Sequence, residues 1–387
     1  MNYICFSPNF PPNYFRFAVA LKNSGVNVLA IGDAPYDHLH PDLHWAFTEY
    51  YKVDDLHRFD QLEMAMNHLI RKHGEIAGID SHNEYWLETE ARIRTKFHIE
   101  GLKNRDMAKI RKKSEMKKLF QKAGLNVAKG TIVKSVGTAN KFIEKQGYPV
   151  IAKPDMGVGA ADTYKIKNDK ELKAFFSDKP DLDYIMEEFI HGDIYSFDGL
   201  VDKSGKIVFY TALKNQKGVM DVVHEDAHTY YYTLREIPEE LIESGLKTLN
   251  AFNLKGRFFH FEYFREQKTG RWVALEVNMR PPGGFSTEMF NYSMDVDVYA
   301  AWAAMVSGRK PEMHFTRKYH VCFVSRKWKY PYRYSHEELM SMFGEHIVFY
   351  HHVEEVLSRA MGNFCYLIRS ENLDRIFEIQ KAIHKIN

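Results

Sequence analysis

The chain of 387 residues has only three cysteines, Cys5, Cys322 and Cys365, which are far apart and odd in number. They match neither a disulfide framework nor the paired spacing of a zinc site, so we expect a reducing, cytoplasmic environment. No run of about 18 apolar residues occurs, so no transmembrane helix is predicted. The first residues lack a basic stretch followed by an apolar one, so no secretory signal is predicted either.

The chain also lacks a dominant charge, because 53 Lys and Arg offset 51 Asp and Glu. This balance argues against a nucleic-acid binder and against a membrane-surface protein. The most basic stretch, residues 105–123, is predicted to be one helix, and no stacking aromatics interleave with its charges. A solvated helix with one or two lysines turned toward a phosphate explains it better than a nucleic-acid face. The length predicts two or three domains, and the hydrophobic fraction of 45% allows a sizeable core.

The N-terminal part alternates short apolar runs with amphipathic stretches, which predicts a β-α-β beginning and a small α/β unit closing near Gly101. No GxGxxG follows the first apolar run, so a dinucleotide fingerprint is absent. A nearby loop holds His38, His40 and His44, whose spacing fits neither a helical nor a strand pair. We assign that loop no metal.

A glycine loop follows Lys153, with Gly157 and Gly159 between two strand-like runs. The loop has no Walker GK[ST] sequence, but backbone N–H groups that no side chain obstructs can still approach a polyphosphate. Lys153 would add a point charge for phosphate oxygens. An ordinary hairpin loop is the alternative for this stretch.

The most informative stretch, residues 257–284, reads as strand, turn, strand. A hairpin centred near Thr269 places Glu262 opposite Glu276, and it places His260 opposite Asn278. Directly opposed residues have Cβ atoms about 4.5–5.5 Å apart, so the two carboxylates would repel each other unless a cation lay between them. Two carboxylates and an amide oxygen are ligands of the Mg²⁺ kind. A surface hairpin with solvated glutamates is the alternative.

Further along this strand, Arg280 follows Glu276 and Asn278 at alternate positions, so the three share one face. Pro281 and the residues after it end the strand, because proline cannot donate to the ladder. Upstream, the backbone after Met186 in the strand-like run 184–190 offers a donor and an acceptor for an adenine. A buried strand without that role is the alternative there.

Taken in order, five segments closely resemble the ATP-grasp superfamily, specifically its carboxylate–amine ligase branch related to biotin carboxylase and carbamoyl phosphate synthetase. The segments are RKKSEMKKLFQKAGL, VIAKPDMGVGA, MEEFIHGDIYSFDGL, FHFEYF and LEVNMRPPGG. The resemblance implies an α/β (α+β) ATP-grasp fold. It implies an N-terminal pre-grasp domain (1–101), an ATP-grasp domain (102–310, with lobes 102–190 and 191–310) and a small C-terminal α+β domain (311–387).

The resemblance also implies roles for individual residues. Lys113 and Lys153 would contact the α- and β-phosphates of ATP, and Lys153 and Arg280 would be the catalytic residues. Arg280 would face the transferred phosphoryl group or the substrate carboxylate. The remaining implied contacts are the phosphate-covering loop (Met156, Gly157, Gly159), the adenine strand (Glu187, Glu188, Phe189, Ile190) and the ligands of one or two Mg²⁺ ions, with Mn²⁺ as an alternative (Glu262, Glu276, Asn278).

The chain departs from the family at Ile194, where relatives often carry a glutamate that touches ribose. Ribose contact by Glu187, Glu188 or Asp198 is therefore left open. The acid and amine pockets follow no transferable motif, although Lys214 and His224 are candidates for their lining.

The function that the resemblance implies is an ATP-dependent ligase. It would activate a carboxylic acid as an acyl phosphate and couple it to an amine, releasing ADP and phosphate. Two alternatives are a bicarbonate-activating carboxylase-type subunit and a non-catalytic ATP-binding regulator. The expected partners are a small carboxylic acid and an amine, with no nucleic acid and no membrane, and the chain is expected to form a homodimer, as many soluble proteins do.

Overall fold

The structure is a computed structural model that describes residues 1–157, 162–215 and 228–387. Helices and strands alternate along the chain and form three sheets. The α/β (α+β) class predicted from the sequence is confirmed.

The N-terminal unit is a parallel four-stranded sheet in the order β3-β2-β1-β4. Its strands are β1 (Asn2–Phe6), β2 (Asn27–Gly32), β3 (Glu49–Lys52) and β4 (Ile76–Asp80), and its helices are α1 (Phe15–Asn23), α2 (Pro41–Ala46), α3 (Phe59–His73) and α4 (Leu87–Lys96). The predicted β-α-β beginning is β1, α1 and β2, with the two strands parallel. The central strands β1 and β2 are covered on both faces and are almost continuously apolar, whereas the edge strand β3 is only partly buried.

Two helices connect this unit to the rest of the chain, α5 (Asn104–Arg111) and α6 (Lys113–Lys122). The prediction of a single helix over residues 105–123 is therefore wrong. Lys112 has an extended backbone, with φ −88° and ψ 117°. The break persists because Asp155, which is remote in sequence, binds the first turn of α6 through both its carbonyl and its carboxylate.

A second, antiparallel sheet has the order β5-β8-β6-β7. It contains β5 (Gly130–Val133), β6 (Val150–Pro154), β7 (Tyr164–Ile166) and β8 (Tyr184–Glu188), with α7 (Val136–Gln146) and α8 (Asp169–Asp178) beside it. Alternate residues of β6 and β8 pack with these helices in one core, and among them are Val150, Ala152, Tyr184 and Met186. The glycine loop joins neighbouring strands β6 and β7, as predicted.

The third sheet has eight strands in the order β13-β12-β9-β10-β11-β14-β16-β15. They are β9 (Gly192–Val201), β10 (Ile207–Asn215), β11 (Tyr230–Thr233), β12 (Arg257–Glu266), β13 (Trp272–Asn278), β14 (His320–Arg326), β15 (Ile347–His352) and β16 (Phe364–Ser370). This sheet is continuous across residue 310, because β11 pairs with β14. The predicted division into domains stays a prediction.

The helices around the large sheet are α9 (Glu239–Phe252), α10 (Ser286–Met294), α11 (Val298–Val306), α12 (His336–Phe343), α13 (Glu355–Met361) and α14 (Leu373–His384). Helix α9 lies so close to β9 that a Cβ at Gly245 would come within 2.2 Å of the Phe197 ring. One face of β9 and β12 is thereby sealed by apolar side chains, and the other face is left for polar ones. Among the described residues, no helix has the length and apolar character needed to cross a bilayer.

Candidate active site

The hairpin of β12 and β13 has the register predicted from the sequence. Glu262 lies opposite Glu276, and His260 lies opposite Asn278. Side chains of directly opposed residues project from the same face of a sheet, so these four polar groups are neighbours. The condition on which the metal prediction depends, two carboxylates side by side on adjacent strands, is met.

The polar face extends onto β9, which lies on the other side of β12. Ser196 pairs with Glu262, and Asp198 pairs with His260. The intervening residues Phe197, Phe259 and Phe261 project from the opposite face into the core shared with α9. Three adjacent strands thus each contribute two polar residues to one surface, because the side-chain period of a strand is two.

The side chain of His260 balances part of the negative charge on this face. His260 Nδ1 lies 2.6 Å from Asp198 Oδ1, and His260 Nε2 lies 3.5 Å from Glu262 Oε1. Burial alone would lower the pKa of His260, but the Asp198 and Glu262 carboxylates raise it to about 9. The two opposed glutamates differ: burial raises the pKa of Glu262 but His260, Arg280 and Lys153 together lower it overall, whereas burial raises the pKa of Glu276.

Two lysines, Lys113 at the start of α6 and Lys153 on β6, belong to the electrostatic surroundings of this surface. Lys113 Nζ lies 3.2 Å from Glu276 Oε1. Lys153 Nζ lies 2.8 Å from Glu187 Oε2, and burial lowers the pKa of Lys153 whereas Glu187, followed by Glu276 and Glu262, raises it overall. The prediction that the opposed glutamates share a cleft with Lys153 stays a prediction.

Lys113 points into the cleft because of the break between α5 and α6. The Lys113 N–H donates to the Asp155 carbonyl at 2.9 Å, and the Ser114 N–H donates to Asp155 Oδ1 at 2.7 Å. A carboxylate at a helix N-terminus satisfies N–H groups that have no partner inside the helix. If α5 and α6 formed one continuous helix, Lys113 would lack this anchor and would project in a different direction.

Glu187 lies between two buried lysines. Its carboxylate is 2.7 Å from Lys117 Nζ and 2.8 Å from Lys153 Nζ. Burial raises the pKa of Glu187, yet the two ammonium groups lower it overall. The Glu187 carboxylate thereby holds the Lys153 ammonium group in place. From the sequence, Lys117 is only one basic residue of the stretch 105–123, because nothing near it in the chain indicates its partner Glu187.

Arg280 meets a residue that the sequence analysis missed, Glu84, from the loop after β4. Arg280 Nη2 is 3.1 Å from Glu84 Oε2 and 3.5 Å from Asn278 Oδ1. Arg111 Nη1 lies 3.2 Å from the other oxygen of Glu84, so the carboxylate bridges two guanidinium groups. Glu84 is 8% exposed. No local motif marks it, because it comes from a separate part of the chain.

Some predicted contacts need correction. Asp198 is fully buried, and its oxygens are taken by His260 and Ser196, so it has no free oxygen to offer a ribose. Strand β8 is flanked by β5 and β6, so the backbone of Glu187 and Glu188 faces neighbouring strands instead of an open edge. Adenine contact stays a prediction for Phe189 and Ile190, which lie past the end of β8.

The remaining candidates have varied positions. Met156 is 39% exposed beside Gly157, and Gly157 accepts a hydrogen bond from Lys113 Nζ at 3.4 Å. Gly159 and His224 lie outside the described residues. Lys214 pairs with Asp193 at 3.0 Å, away from the hairpin carboxylates. His40 caps α2 and stacks on Phe15.

The donor set suits a hard divalent cation. Glu262 and Glu276 supply carboxylate oxygens and Asn278 an amide oxygen, which is the oxygen-rich set that Mg²⁺ prefers. Within the described parts of the chain, no group of three or more His, Cys, Asp and Glu side chains is placed to hold a metal ion by itself. A site of two protein carboxylates that leaves positions for phosphate oxygens and water is typical of Mg²⁺-nucleotide enzymes.

Comparison with known proteins agrees with the sequence and the fold. An ATP-grasp domain is recognised over residues 146–288. The chain is 24% identical to an L-arginine-specific L-amino acid ligase of Bacillus subtilis over 301 residues, covering 72% of this chain and 70% of that protein. It is 23% identical to a carbamoyl phosphate synthase large chain of Thermotoga neapolitana over 188 residues, 46% of this chain but only 17% of that protein.

Solved structures share the whole architecture. An L-amino acid ligase from Bacillus licheniformis superposes with a TM-score of 0.73 at 15% identity, covering 99% of this chain and 96% of that one. The biotin carboxylase domain of a Hydrogenobacter thermophilus 2-oxoglutarate carboxylase was solved as a dimer with MgADP and bicarbonate. It superposes with a TM-score of 0.71 at 15% identity, covering 97% of this chain and 89% of that one. An ATP-grasp domain is thus recognised within the chain at residues 146–288, and the whole chain shares the fold of these solved structures.

Proposed function

We propose that this chain is an ADP-forming ligase that couples a carboxylic acid to an amine. The observation that carries the proposal is the cleft where Glu262, Glu276 and Asn278 share one face of the sheet, with Lys113 beside Glu276 and Arg280 beside Asn278. Phosphoryl transfer requires positioning and neutralisation of charge more than covalent chemistry, and this cleft offers both. The ligases named above belong to the same enzyme class as the one predicted from the sequence.

The reaction we propose has two steps. A carboxylate oxygen of the acid attacks the γ-phosphorus of ATP, and the bond from that phosphorus to the bridging oxygen of ADP breaks. The amine then attacks the carbonyl carbon of the acyl phosphate, phosphate leaves with the oxygen of the former carboxylate, and the nitrogen releases a proton. Activation is needed because a carboxylate by itself has no adequate leaving group.

Each side chain has a task in this scheme. Lys113 and Lys153 bind the phosphates, and Glu187 keeps Lys153 in place. Arg280 orients the acid and stabilises the charge that builds up during transfer. Glu262, Glu276 and Asn278 would hold Mg²⁺, which screens the charge of the phosphate oxygens when bound. The proposal includes one or two bound ions, with Mn²⁺ as an alternative to Mg²⁺.

The pair of Glu84 and Arg280 favours an α-amino acid as the acid substrate. Arg280 offers a guanidinium to the carboxylate of a zwitterion, and Glu84, whose oxygens pair with Arg280 and Arg111, would exchange one of these partners for the ammonium. Bicarbonate carries no ammonium group with which Glu84 could form an ion pair. The relative named as an L-amino acid ligase lends this choice support.

The test is ADP release from Mg-ATP with α-amino acids and with the des-amino acids of the same carbon chain, each with and without an amine. We expect turnover that requires both substrates and favours the α-amino acid. In Glu84→Gln, that preference should shrink, because KM rises more for the amino acid, which loses its ammonium partner, than for the des-amino acid, which is affected only through Arg280. Nucleotide binding without ADP release on any acid would instead support a regulator.

The proposed setting of the reaction is the cytoplasm, and the proposed assembly is a homodimer that acts on small molecules. Multi-angle light scattering of the purified chain decides the assembly, since a dimer has twice the 45.4 kDa of one chain.

A further inference from the structure

The segment that carries Arg280 continues beyond the end of β13 as residues 279–284, here called the strap. It lies between β13 and α10 and contains Pro281 and Pro282, which have no N–H to donate. Within the described ranges of the chain, the strap makes no backbone–backbone hydrogen bond. Its placement must therefore come from side chains.

Side chains do bind nearly every carbonyl of the strap. The Met279 carbonyl accepts from Arg257 Nε at 2.8 Å, and the Pro282 carbonyl accepts from the Tyr14 hydroxyl at 3.1 Å. The Gly284 carbonyl accepts from Asn13 Nδ2 at 3.0 Å. Within the strap's own neighbourhood, Arg280 binds the Pro281 carbonyl and Ser286 binds the Gly283 carbonyl, each at 2.8 Å.

Three of these five contacts involve the N-terminal unit. Asn13 and Tyr14 lie directly before α1. Arg257 begins β12, but its Nη2 lies 3.5 Å from Asp80, the last residue of β4. Arg257 and Tyr14 are 7% exposed, so water does not readily replace them. Both prolines are buried as well.

We propose that Tyr14, Asn13 and Arg257 are positioning residues that place Arg280 for the acid substrate. Arg257 fixes the peptide between Asn278 and Arg280 at the point where β13 leaves the sheet, and Tyr14 and Asn13 fix the far end of the strap. The N-terminal unit thereby sets the acid site although it contributes neither nucleotide nor metal contacts to it. This inference rests on the proposed function for its kinetic consequence.

The test uses Tyr14→Phe and Asn13→Ala, alone and together. Removing the Tyr14 hydroxyl leaves the buried Pro282 carbonyl without its donor, so the KM for the acid should rise about three- to tenfold. The dissociation constant of Mg-ADP should stay unchanged, because Lys113, Lys153 and Glu187 do not touch the strap. Tyr50→Phe is the matched control, since Tyr50 also donates to a backbone carbonyl, that of Ala34 at 2.7 Å, away from the strap.

A crystal structure of the double variant separates this inference from the proposed function. We expect the strap to shift and the Arg280 guanidinium to move away from Asn278, with β12 and β13 unchanged. An unshifted strap overturns the inference whether or not any acid is a substrate. A shifted strap with an unchanged KM for the acid, or an equal rise in KM for Tyr50→Phe, overturns it too. If wild-type protein turns over no acid, the proposed function fails and the strap position alone decides the inference.

Discussion

At the scale of single residues, the candidate site is a set of opposed charges that the protein balances in pairs. Glu276 has Lys113, Glu262 has His260, and Glu187 has two lysines. The sequence analysis expected only a bound dication to relieve the two hairpin glutamates. The structure adds a lysine and a histidine, which reduce the repulsion before any metal is present.

The Glu276→Gln substitution tests the most informative of these residues. The amide keeps the shape of the side chain but removes the charge that would bind Mg²⁺, so ADP release should fall at least about a hundredfold. Circular dichroism should show an unchanged fold. Glu266→Gln is the control, because Glu266 ends β12 outside the cleft. Full activity of Glu276→Gln would remove Glu276 from the metal site.

His82 gives a pH prediction for stability. It is 8% exposed beside Asp80, and burial, which outweighs the effect of the Asp80 charge, lowers its pKa to about 4. In the unfolded chain its pKa is near the ordinary 6.5, so the unfolded state gains the proton first as the pH falls. The contribution of neutral His82 to the free energy of unfolding is fully present above pH 6.5. It is lost between about pH 6.5 and 4, on the order of 3 kcal/mol.

Urea unfolding at pH 7, 5.5 and 4.5 measures this loss. His82→Asn is the comparison, because asparagine accepts the positive φ of 57° at this position and does not titrate. We expect wild-type protein to lose more stability than the variant over this range. Parallel curves for the two proteins would show that His82 is not kept neutral in the fold.

At the scale of elements, register was predictable and helix breaks were not. The pairing of Glu262 with Glu276 follows from alternation along two strands and from a turn at residues 267–270, all of which are local. The break at Lys112 depends on Asp155, which is distant in sequence, so the helical pattern runs through it without a signal. Glu84 was missed for the same reason, because only the fold brings it to Arg280.

His260 shows what local pattern offers and where it ends. Its position two residues before Glu262 places both side chains on one face, and the sequence analysis paired it with Asn278. Its bond to Asp198 depends on β9 lying beside β12, which the sequence alone does not specify. The same neighbouring strand explains why Asp198 does not serve the ribose.

Asp155→Ala tests the element that delivers Lys113. Loss of the cap should destabilise the protein by about 0.5–2 kcal/mol and also raise the KM for ATP, since Lys113 loses its anchor. Asn168→Ala is the matched control, because Asn168 caps α8 by accepting from the Glu171 N–H. We expect a comparable loss of stability in the control with an unchanged KM for ATP. If the KM for ATP were the same in both variants, the Asp155 cap would have no role in nucleotide binding.

At the scale of the whole molecule, the site collects residues from every major part of the chain before residue 310. The N-terminal unit provides Glu84, the connecting helices provide Lys113, the small sheet provides Lys153 and the large sheet provides the hairpin acids. Such an arrangement draws the candidate site from parts of the chain that share no local motif. It also explains why the chemistry could be predicted from the sequence and the substrates could not.

The most direct test of the central claim follows oxygen from the acid to the phosphate. Wild-type protein is incubated with Mg-ATP, an amine and an acid that carries ¹⁸O in its carboxylate, and the released phosphate is analysed by mass spectrometry. An acyl phosphate must leave one labelled oxygen in each phosphate when the amine displaces it, and we predict that result. Unlabelled phosphate released together with ADP and the coupled product would contradict the mechanism.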